Sequence, residues 1–349
     1  MQFRESLSLS RTAKNCVNFQ ALLQDALLSL VSPGEQCVLV DYPNHSNVGD
    51  SAIWLGEMHL LRHAGIPIVA IGDLICDTWA EITKATDGRT ILIHGGGNFG
   101  DLWDRHHLFR EQLCREFPRN RIIQLPQSIH FENDANRLAS QEMFRSHPDL
   151  HLMVRDRRSL EIAETFAPGR AYLVPDAALC LPRTMRTRSR IRYDMLVLLR
   201  TDLESTRDQG IETILPDGVR ANVTDWLDEK GGFWHRCYAR LQQIDPDKRP
   251  FLRPVINAFV LGAANRLAAT RFDRGTDLIQ SARVVVTDRL HTVVLSWLSG
   301  TPVFFFDNTY GKLSGVVECW LKDEKGISRC DSQEEALAGA TQWLRSQST

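Results

Sequence analysis

Short apolar runs rich in β-branched residues recur along the chain, with helix-length segments between them. This is the pattern of parallel β-α-β units, whose strands are buried on both faces. In the first half the runs are CVLVDY (37 to 42), PIVAIG (67 to 72), TILIHG (90 to 95), RIIQLP (121 to 126), HLMVRD (151 to 156) and AYLVPD (171 to 176). Helices are expected over 51–64, 103–117 and 157–166. The pattern predicts a doubly wound sheet with its ligands beyond the carboxyl ends of the strands.

The pattern breaks at LPRTMRTRSRIRYD, residues 181 to 194, which holds five arginines and a proline. That composition suits an exposed linker, with a basic membrane-facing patch as the rival reading. Beyond it the pattern restarts with a strand over 194–202, a second near NVTDW, a helix around 233–244 and a long helix within 254–280. The strand ARVVVTD (282 to 288), a helix after it, the strand PVFFFD (302 to 307) and a helix within 332–346 complete the series. The chain therefore reads as α/β, with one Rossmann-like unit over 1–182, a linker over 183–193, a second unit over 194–330 and a C-terminal helix over 331–349. Two such units leave a cleft able to enclose a substrate.

At 349 residues the chain exceeds what one core usually supports, which favours two units. A net charge of -2 provides no general attraction for nucleic acid, so anion recognition has to be local, from a few arginines in a cleft. The eight cysteines are scattered without a C-x-x-C pair, as expected of reduced thiols in a cytosolic protein. MQFRESLSLSRTAKN has no apolar core of a signal peptide, and no stretch reaches the ~20 apolar residues of a membrane span, so a cytoplasmic location is expected.

Within TDRLHTVVLSWLSGTP, Asp288 is expected to cap a helix and Gly300 to close it. Arg289 and His291 then lie at the helix start, where a cation opposes the positive end of the macrodipole by roughly 0.3 to 1 kcal/mol. A bound anion removes the conflict. The plainer account is that Arg289 pairs with Asp288 or another acid and His291 is packed. Arg200, ending VLLRTD, reaches the same cleft mouth if the strand order brings the two together, and two arginines suit a ligand with two anionic groups.

In the first half, DYPNHSNVGDSAI links a strand to a helix, and Asp50 or Ser51 is expected to cap that helix. The sharper reading makes Asp50 a base or hydroxyl-orienting acceptor. ILIHGGGNFGDLW carries a G-x-G-x-x-G spacing from Gly95, but Pro126, Gln127 and Ser128 stand where a dinucleotide site needs an acid. It is read instead as a flexible backbone loop that lets a ligand come close, with Gly96, Gly97 and Asn98 as contacts. Gln127, Ser128 and Arg155 occupy equivalent strand-end positions and are candidate substrate contacts, as is Asn47, a turn former in the loop before Asp50. His106 and His107 are adjacent and cannot share a metal as an i, i+4 pair would, so a metal-free chemistry is expected.

Taken in order, HSNVGDSAI (45 to 53), IHGGGNFGD (93 to 101), LPQSI (125 to 129), VRDRRS (154 to 159), VPD (174 to 176), TDRLH (287 to 291) and GTPVFFFDNTYGK (300 to 312) resemble the polysaccharide pyruvyl transferase family. The resemblance implies two Rossmann-like domains facing across a cleft, similar to GT-B glycosyltransferases, with the acceptor on the first and the donor on the second. It implies transfer of pyruvate from phosphoenolpyruvate, a co-substrate, to two hydroxyls of a galactose or N-acetylhexosamine unit, with release of phosphate and no other cofactor. Carried onto this chain, donor binding falls on Arg200, Arg289 and Leu290, and catalysis on His291 and Asp50. The acceptor is a sugar or lipid-linked oligosaccharide. Self-association and peripheral attachment to the inner face of the plasma membrane are compatible with this reading. A GT-B glycosyltransferase using a nucleotide sugar, or a non-catalytic component of polysaccharide assembly, are the alternatives.

Overall fold

The computed structural model describes residues 18–74, 79–86, 88–183, 191–201, 215, 217–227, 229, 231–244, 250–307 and 311–347. The strands β1 (Cys37–Val40), β2 (Ile68–Ile71), β3 (Thr90–Ile93), β4 (Gly96–Phe99), β5 (Ile122–Ile129), β6 (Leu150–Val154) and β7 (Ala171–Leu173) form one sheet. Its order is β2-β1-β3-β5-β6-β7, with β4 following β3 along the edge of β5. The strands β8 (Tyr193–Leu198), β9 (Ala221–Thr224), β10 (Ala282–Thr287), β11 (Val303–Phe306) and β12 (Ile327–Cys330) form a second sheet in the order β12-β11-β10-β8-β9. The pairings are parallel throughout. β1, β3, β5 and β6 are buried at every position, which is why their sequences are mainly apolar.

The helices are α1 (Phe19–Leu28), α2 (Val48–His63), α3 (Trp79–Ala85), α4 (Asp104–Glu116), α5 (Asp134–Ser146), α6 (Arg157–Phe166), α7 (Phe233–Gln242), α8 (Arg253–Gln280), α9 (Leu290–Ser299), α10 (Lys312–Trp320) and α11 (Gln333–Ser346). The strands and helices read from the sequence are all present, with ends shifted by a few residues. Six of these strands and helices were not expected: α1, α3, β4, α5, α10 and β12. The arginine-rich segment runs through 184–190, so the boundary expected there lies largely outside the described residues.

The two sheets do not stand apart. One apolar cluster takes Leu39, Trp54 and Leu179 from the first half and Leu196, Leu267 and Val293 from the second. At its centre α2 packs against α8: the fully buried Trp54 donates its indole N–H to Asn265 Oδ1 at 2.8 Å, and Tyr42 Oη donates to the Ala264 carbonyl at 3.1 Å. Gly275 permits this approach, since a Cβ there would lie 2.3 Å from Val48 Cγ1.

Candidate active site

In each sheet the chain reverses direction of winding at one place, and in doubly wound folds the crevice at that reversal is where ligands bind. In the first sheet the place is the carboxyl ends of β1 and β3; in the second it is those of β8 and β10.

At the first, Asp41 follows β1 with φ 66°, the left-handed region that a non-glycine residue enters at a steric cost. Its buried carboxylate accepts from His106 Nδ1 at 2.9 Å and Arg110 Nη2 at 3.4 Å. The loop then reaches Asn47, which caps α2: its Oδ1 accepts from Gly49 N at 3.0 Å, and its Nδ2 donates to Asp50 Oδ2 at 2.8 Å. The helix thus starts three residues before the expected position, at Val48 rather than 51. Asp50 is not the cap; it sits in the first turn, with its carboxylate 3.5 Å from His45 Nε2. Burial alone would raise this carboxyl, but His45, His291, His94 and Arg155 outweigh it and hold Asp50 below the usual carboxylate range.

The glycine segment is not a free loop. Gly96–Phe99 is a short strand hydrogen-bonded to the far end of β5. Gly96 adopts φ 129°, and a Cβ built on it would lie 3.5 Å from Gln127 Oε1 and 3.6 Å from Asp50 Oδ1, so these three residues share one small space. Gln127 Oε1 is buried with no hydrogen-bond partner, while its amide donates to Asn98 Oδ1 at 2.8 Å. Asn98 Oδ1 also accepts from Arg110 at 2.7 Å, which turns this residue inward as a brace. Just before the strand, His94 Nδ1 lies 2.7 Å from Glu57 Oε2, and Gly95 N donates to Glu57 Oε1 at 2.8 Å. Burial disfavours a charged His94, yet Glu57, with Asp50 and Asp41, raises its pKa. Its Nε2 is buried and has no partner.

At the second reversal, Asp288 does not cap α9. Its Oδ1 accepts from Arg200 N at 2.9 Å, tying the ends of β8 and β10 together, and burial raises its pKa. β8 and β10 are neighbours, so Arg200 and Arg289 do reach the same edge. The N-cap position is Arg289 itself, whose backbone N–H is held by Thr287 Oγ1 at 3.0 Å. The Arg289 guanidinium meets an acid, though not Asp288: Nη2 donates to Asp225 Oδ2 at 2.5 Å, over the face of Trp226. Asp225 Oδ2 also accepts from Thr201 N and Oγ1, at 3.1 and 2.8 Å. The Leu290 side chain is in the core, leaving only its backbone for a ligand.

His291 joins the two halves. Its ring packs on Gly49, where a Cβ would lie 2.6 Å from Nδ1. Its Nε2 stands 3.4 Å from Asp176 Oδ2 without hydrogen-bond geometry. Asp176 is fully buried and accepts from Arg155 Nη1 at 2.5 Å and from Ala178 N at 2.8 Å. Burial opposes the charge on Asp176, but Arg155 and His291 outweigh it and depress its pKa strongly. Arg155 Nε donates to Ser128 Oγ at 2.9 Å, and Ser128 donates to Asp156 Oδ2 at 2.7 Å. Arg155 and Ser128 therefore stand behind His291 as its support.

The structure thus gathers Asn47, Asp50, Gly96, Gln127 and His291 at one place, with Arg200 and Arg289 at the neighbouring edge. Four residues that the sequence did not single out join them: Glu57, His94, Asp176 and Asp225. Asp176 and His94 end strand-like runs, which was a usable signal; Glu57 and Asp225 carried none. A cavity of about 430 Å³ opens beside Gly97 and Ser128, walled by Trp103 and His130 on one side and by α10 on the other. Among the described residues no cluster of His, Cys, Asp and Glu is arranged to hold a metal ion. The described cysteines are all unpaired, and burial pushes the thiols of Cys37, Cys114 and Cys180 up to about 12.

The polysaccharide pyruvyl transferase family model matches residues 47–310, which include all of the site residues above except Asp41 and His45. The chain is 30% identical over 328 residues to pyruvyl transferase 1 of Schizosaccharomyces pombe, covering 88% of this chain and 76% of that protein. It is 28% identical over 301 residues to EpsO of Bacillus subtilis, which carries a provisional pyruvyl transferase name, covering 85% and 88% of the two chains. A crystal structure of a functionally uncharacterized protein from Klebsiella pneumoniae shares the fold, with a TM-score of 0.55 at 16% identity over 90% of this chain and 100% of that one. The chain belongs to the polysaccharide pyruvyl transferase family.

Proposed function

We propose that this protein transfers pyruvate from phosphoenolpyruvate to two hydroxyls of one sugar of a surface or extracellular polysaccharide, forming a ketal and releasing phosphate. The observation that carries this reading is the meeting of His291, from the second half, with Gly49 and Asp50, from the first. The two halves act as GT-B-like domains, 1–182 receiving the acceptor and 194–330 the donor, with 183–193 as their link and 331–349 as a closing helix.

The overall chemistry asks for two proton movements. The donor methylene carbon gains one proton to become a methyl group, the departing phosphate gains another, and both are balanced by protons lost from the two acceptor hydroxyls. Arg200, Arg289 and the Leu290 backbone N–H bind the carboxylate and phosphate of the donor and stabilise charge as the phosphate leaves. His291, beside the buried carboxylate of Asp176, is the general acid for that departure. Asp50 is too well stabilised as an anion to store a proton at neutral pH, so its part is to orient an acceptor hydroxyl and pass the proton on. His94, whose protonated form Glu57 favours, is with His45 and His291 one of three imidazoles within electrostatic reach of Asp50; it can give the proton that the donor carbon gains and recover one from an acceptor hydroxyl through Asp50. The cavity beside Gly97 and Ser128 takes the acceptor, with Trp103 as a stacking face for a sugar ring. No further cofactor enters this scheme, which is placed in the cytoplasm.

The test is a phosphate-release assay with phosphoenolpyruvate across galactosides and N-acetylhexosamines, free and lipid-linked. Acceptor-dependent release, lost in His291→Ala, is the expected result. Silence across the panel together with no thermal stabilisation by phosphoenolpyruvate would overturn the reading.

A further inference from the structure

The largest exposed apolar side chains of the described structure gather on two helices away from the site. Phe251, Val255 and Phe259 are 78%, 50% and 64% exposed. Phe251 lies in the 3-10 turn Pro250–Leu252 that leads into α8, and Val255 and Phe259 follow four residues apart on one face of the first turns of that helix. α7 packs against α8 and adds Phe233, 63% exposed, and Trp234, 36%. Single exposed apolar residues need no explanation, but a run of aromatic ones does.

Charge identifies the partner. The sequence from 231 to 266 carries six cationic residues, Arg236, Arg240, Lys248, Arg249, Arg253 and Arg266, against two acids, Asp245 and Asp247. The whole chain, by contrast, has a net charge of -2. A face for another protein would ordinarily combine its apolar centre with a rim of both signs. Aromatic side chains in a segment with this excess of cations match the interface of an anionic bilayer, where rings settle at the headgroup level and guanidinium groups meet phosphates. Attachment on such a face is peripheral, since no described helix is long and apolar enough to cross a membrane.

We propose that the α7 face and the first turns of α8 form a docking surface for an anionic phospholipid bilayer, with Phe251 and Phe259 inserting and Arg236 and Arg240 binding headgroups. The surface is tied to the site by one rigid element. Further along α8, Arg271 Nη1 donates to the Pro43 carbonyl at 3.2 Å and Arg274 Nη2 to the Ser46 carbonyl at 2.8 Å, bracing the loop that leads to Asn47 and Asp50. From Val255 to Arg271 is about 24 Å of helix at 1.5 Å per residue. A bilayer docked there lies within a molecular diameter of the acceptor side. The inference does not depend on the pyruvyl reading.

Co-sedimentation of the full chain with vesicles of phosphatidylcholine, with and without phosphatidylglycerol, tests it. The wild type is expected to sediment with the anionic vesicles only, and less as salt rises. Phe251→Glu/Phe259→Glu and Arg236→Glu/Arg240→Glu should each weaken binding at least tenfold with an unchanged unfolding midpoint, because these side chains are on the surface. Equal sedimentation with both vesicle types, none with either, or binding unaffected by both variants would overturn the proposal. So would a wild type that is dimeric without vesicles and becomes monomeric in Phe251→Glu/Phe259→Glu, which would make the face a contact between copies of the chain.

Discussion

The imidazole of His291 lies so close on Gly49 that a single methyl group between them would stand 2.6 Å from Nδ1, 2.8 Å from Cγ and 2.9 Å from Cβ of the histidine. Because even the root of the side chain is too near, a rotation of the ring cannot relieve the contact. The glycine therefore sets the distance between α2 and α9, and with it the position of His291 relative to Asp50.

Gly49→Ala should force the two helices apart. We expect a stability loss of about 1 to 3 kcal/mol, as for other overpacked interiors. Turnover should fall on the order of a hundredfold, the penalty of misplacing a catalytic group by about an ångström. Rates measured alongside a denaturation curve check both, and a fully active variant would show that His291 need not hold this place.

Asp176 shares its carboxylate between Arg155 and the neighbourhood of His291. Its folded pKa is depressed, so the stability it supplies is present above the unfolded value of about 3.9 and is lost as pH falls below it. Asp176→Asn leaves the buried Arg155 charge uncompensated, at about 3 to 5 kcal/mol. Unfolding measured from neutral to acid pH should show the variant weaker at pH 7 and less sensitive to acid than the wild type. Parallel curves offset by a constant amount would argue against the ion pair.

The sheets were legible because buried parallel strands leave mainly apolar runs, and the placing of Arg200 and Arg289 at one sheet edge followed once β8 and β10 proved to be neighbours. The details of the site were less so. Asn47, Asp50 and Ser51 are all competent caps, and only the loop that leaves Asp41 in a left-handed conformation decides for Asn47. The acid partners are tertiary: Glu57 is 37 residues from His94, and Asp225 is 64 from Arg289. α5 and α10 escaped notice for a local reason. The first is a mostly polar surface helix, and the second opens on a glycine in the left-handed region with no side-chain cap.

Asp225 already occupies Arg289, so a donor anion has to share or displace it. Asp225→Asn removes the competing charge and takes an anionic partner from the buried guanidinium. The variant should be less stable than the wild type in phosphate-free buffer. Inorganic phosphate or phosphoenolpyruvate should then raise its unfolding midpoint by more than it raises that of the wild type. Equal shifts in the two proteins would mean that the anion binds elsewhere.

Glu57 and His94 form a buried pair whose remaining nitrogen, Nε2, has no partner. The groups facing the ring are Glu57 and Asp50 from α2, Asp41 from the end of β1, and His45 from the loop between them. The acids favour the imidazolium. Its raised pKa means that the pair's contribution to stability is complete below about 6.5 and declines as pH rises through the folded value. If protonated His94 carries the proton needed in turnover, the rate must fall on the alkaline side at that same raised pKa. Glu57→Gln removes the charge responsible, so its alkaline limb should move to lower pH while the KM for phosphoenolpyruvate stays close to that of the wild type. His94→Gln should lose at least a hundredfold in kcat and still be stabilised by phosphoenolpyruvate, as loss of a general acid or base typically costs 10² to 10⁴. A merely structural pair would lower stability in both variants without moving the limb. An unmoved alkaline limb in Glu57→Gln, or a His94→Gln enzyme with near-normal kcat, would remove His94 from the proton path and leave His291 and Asp50 to act without it.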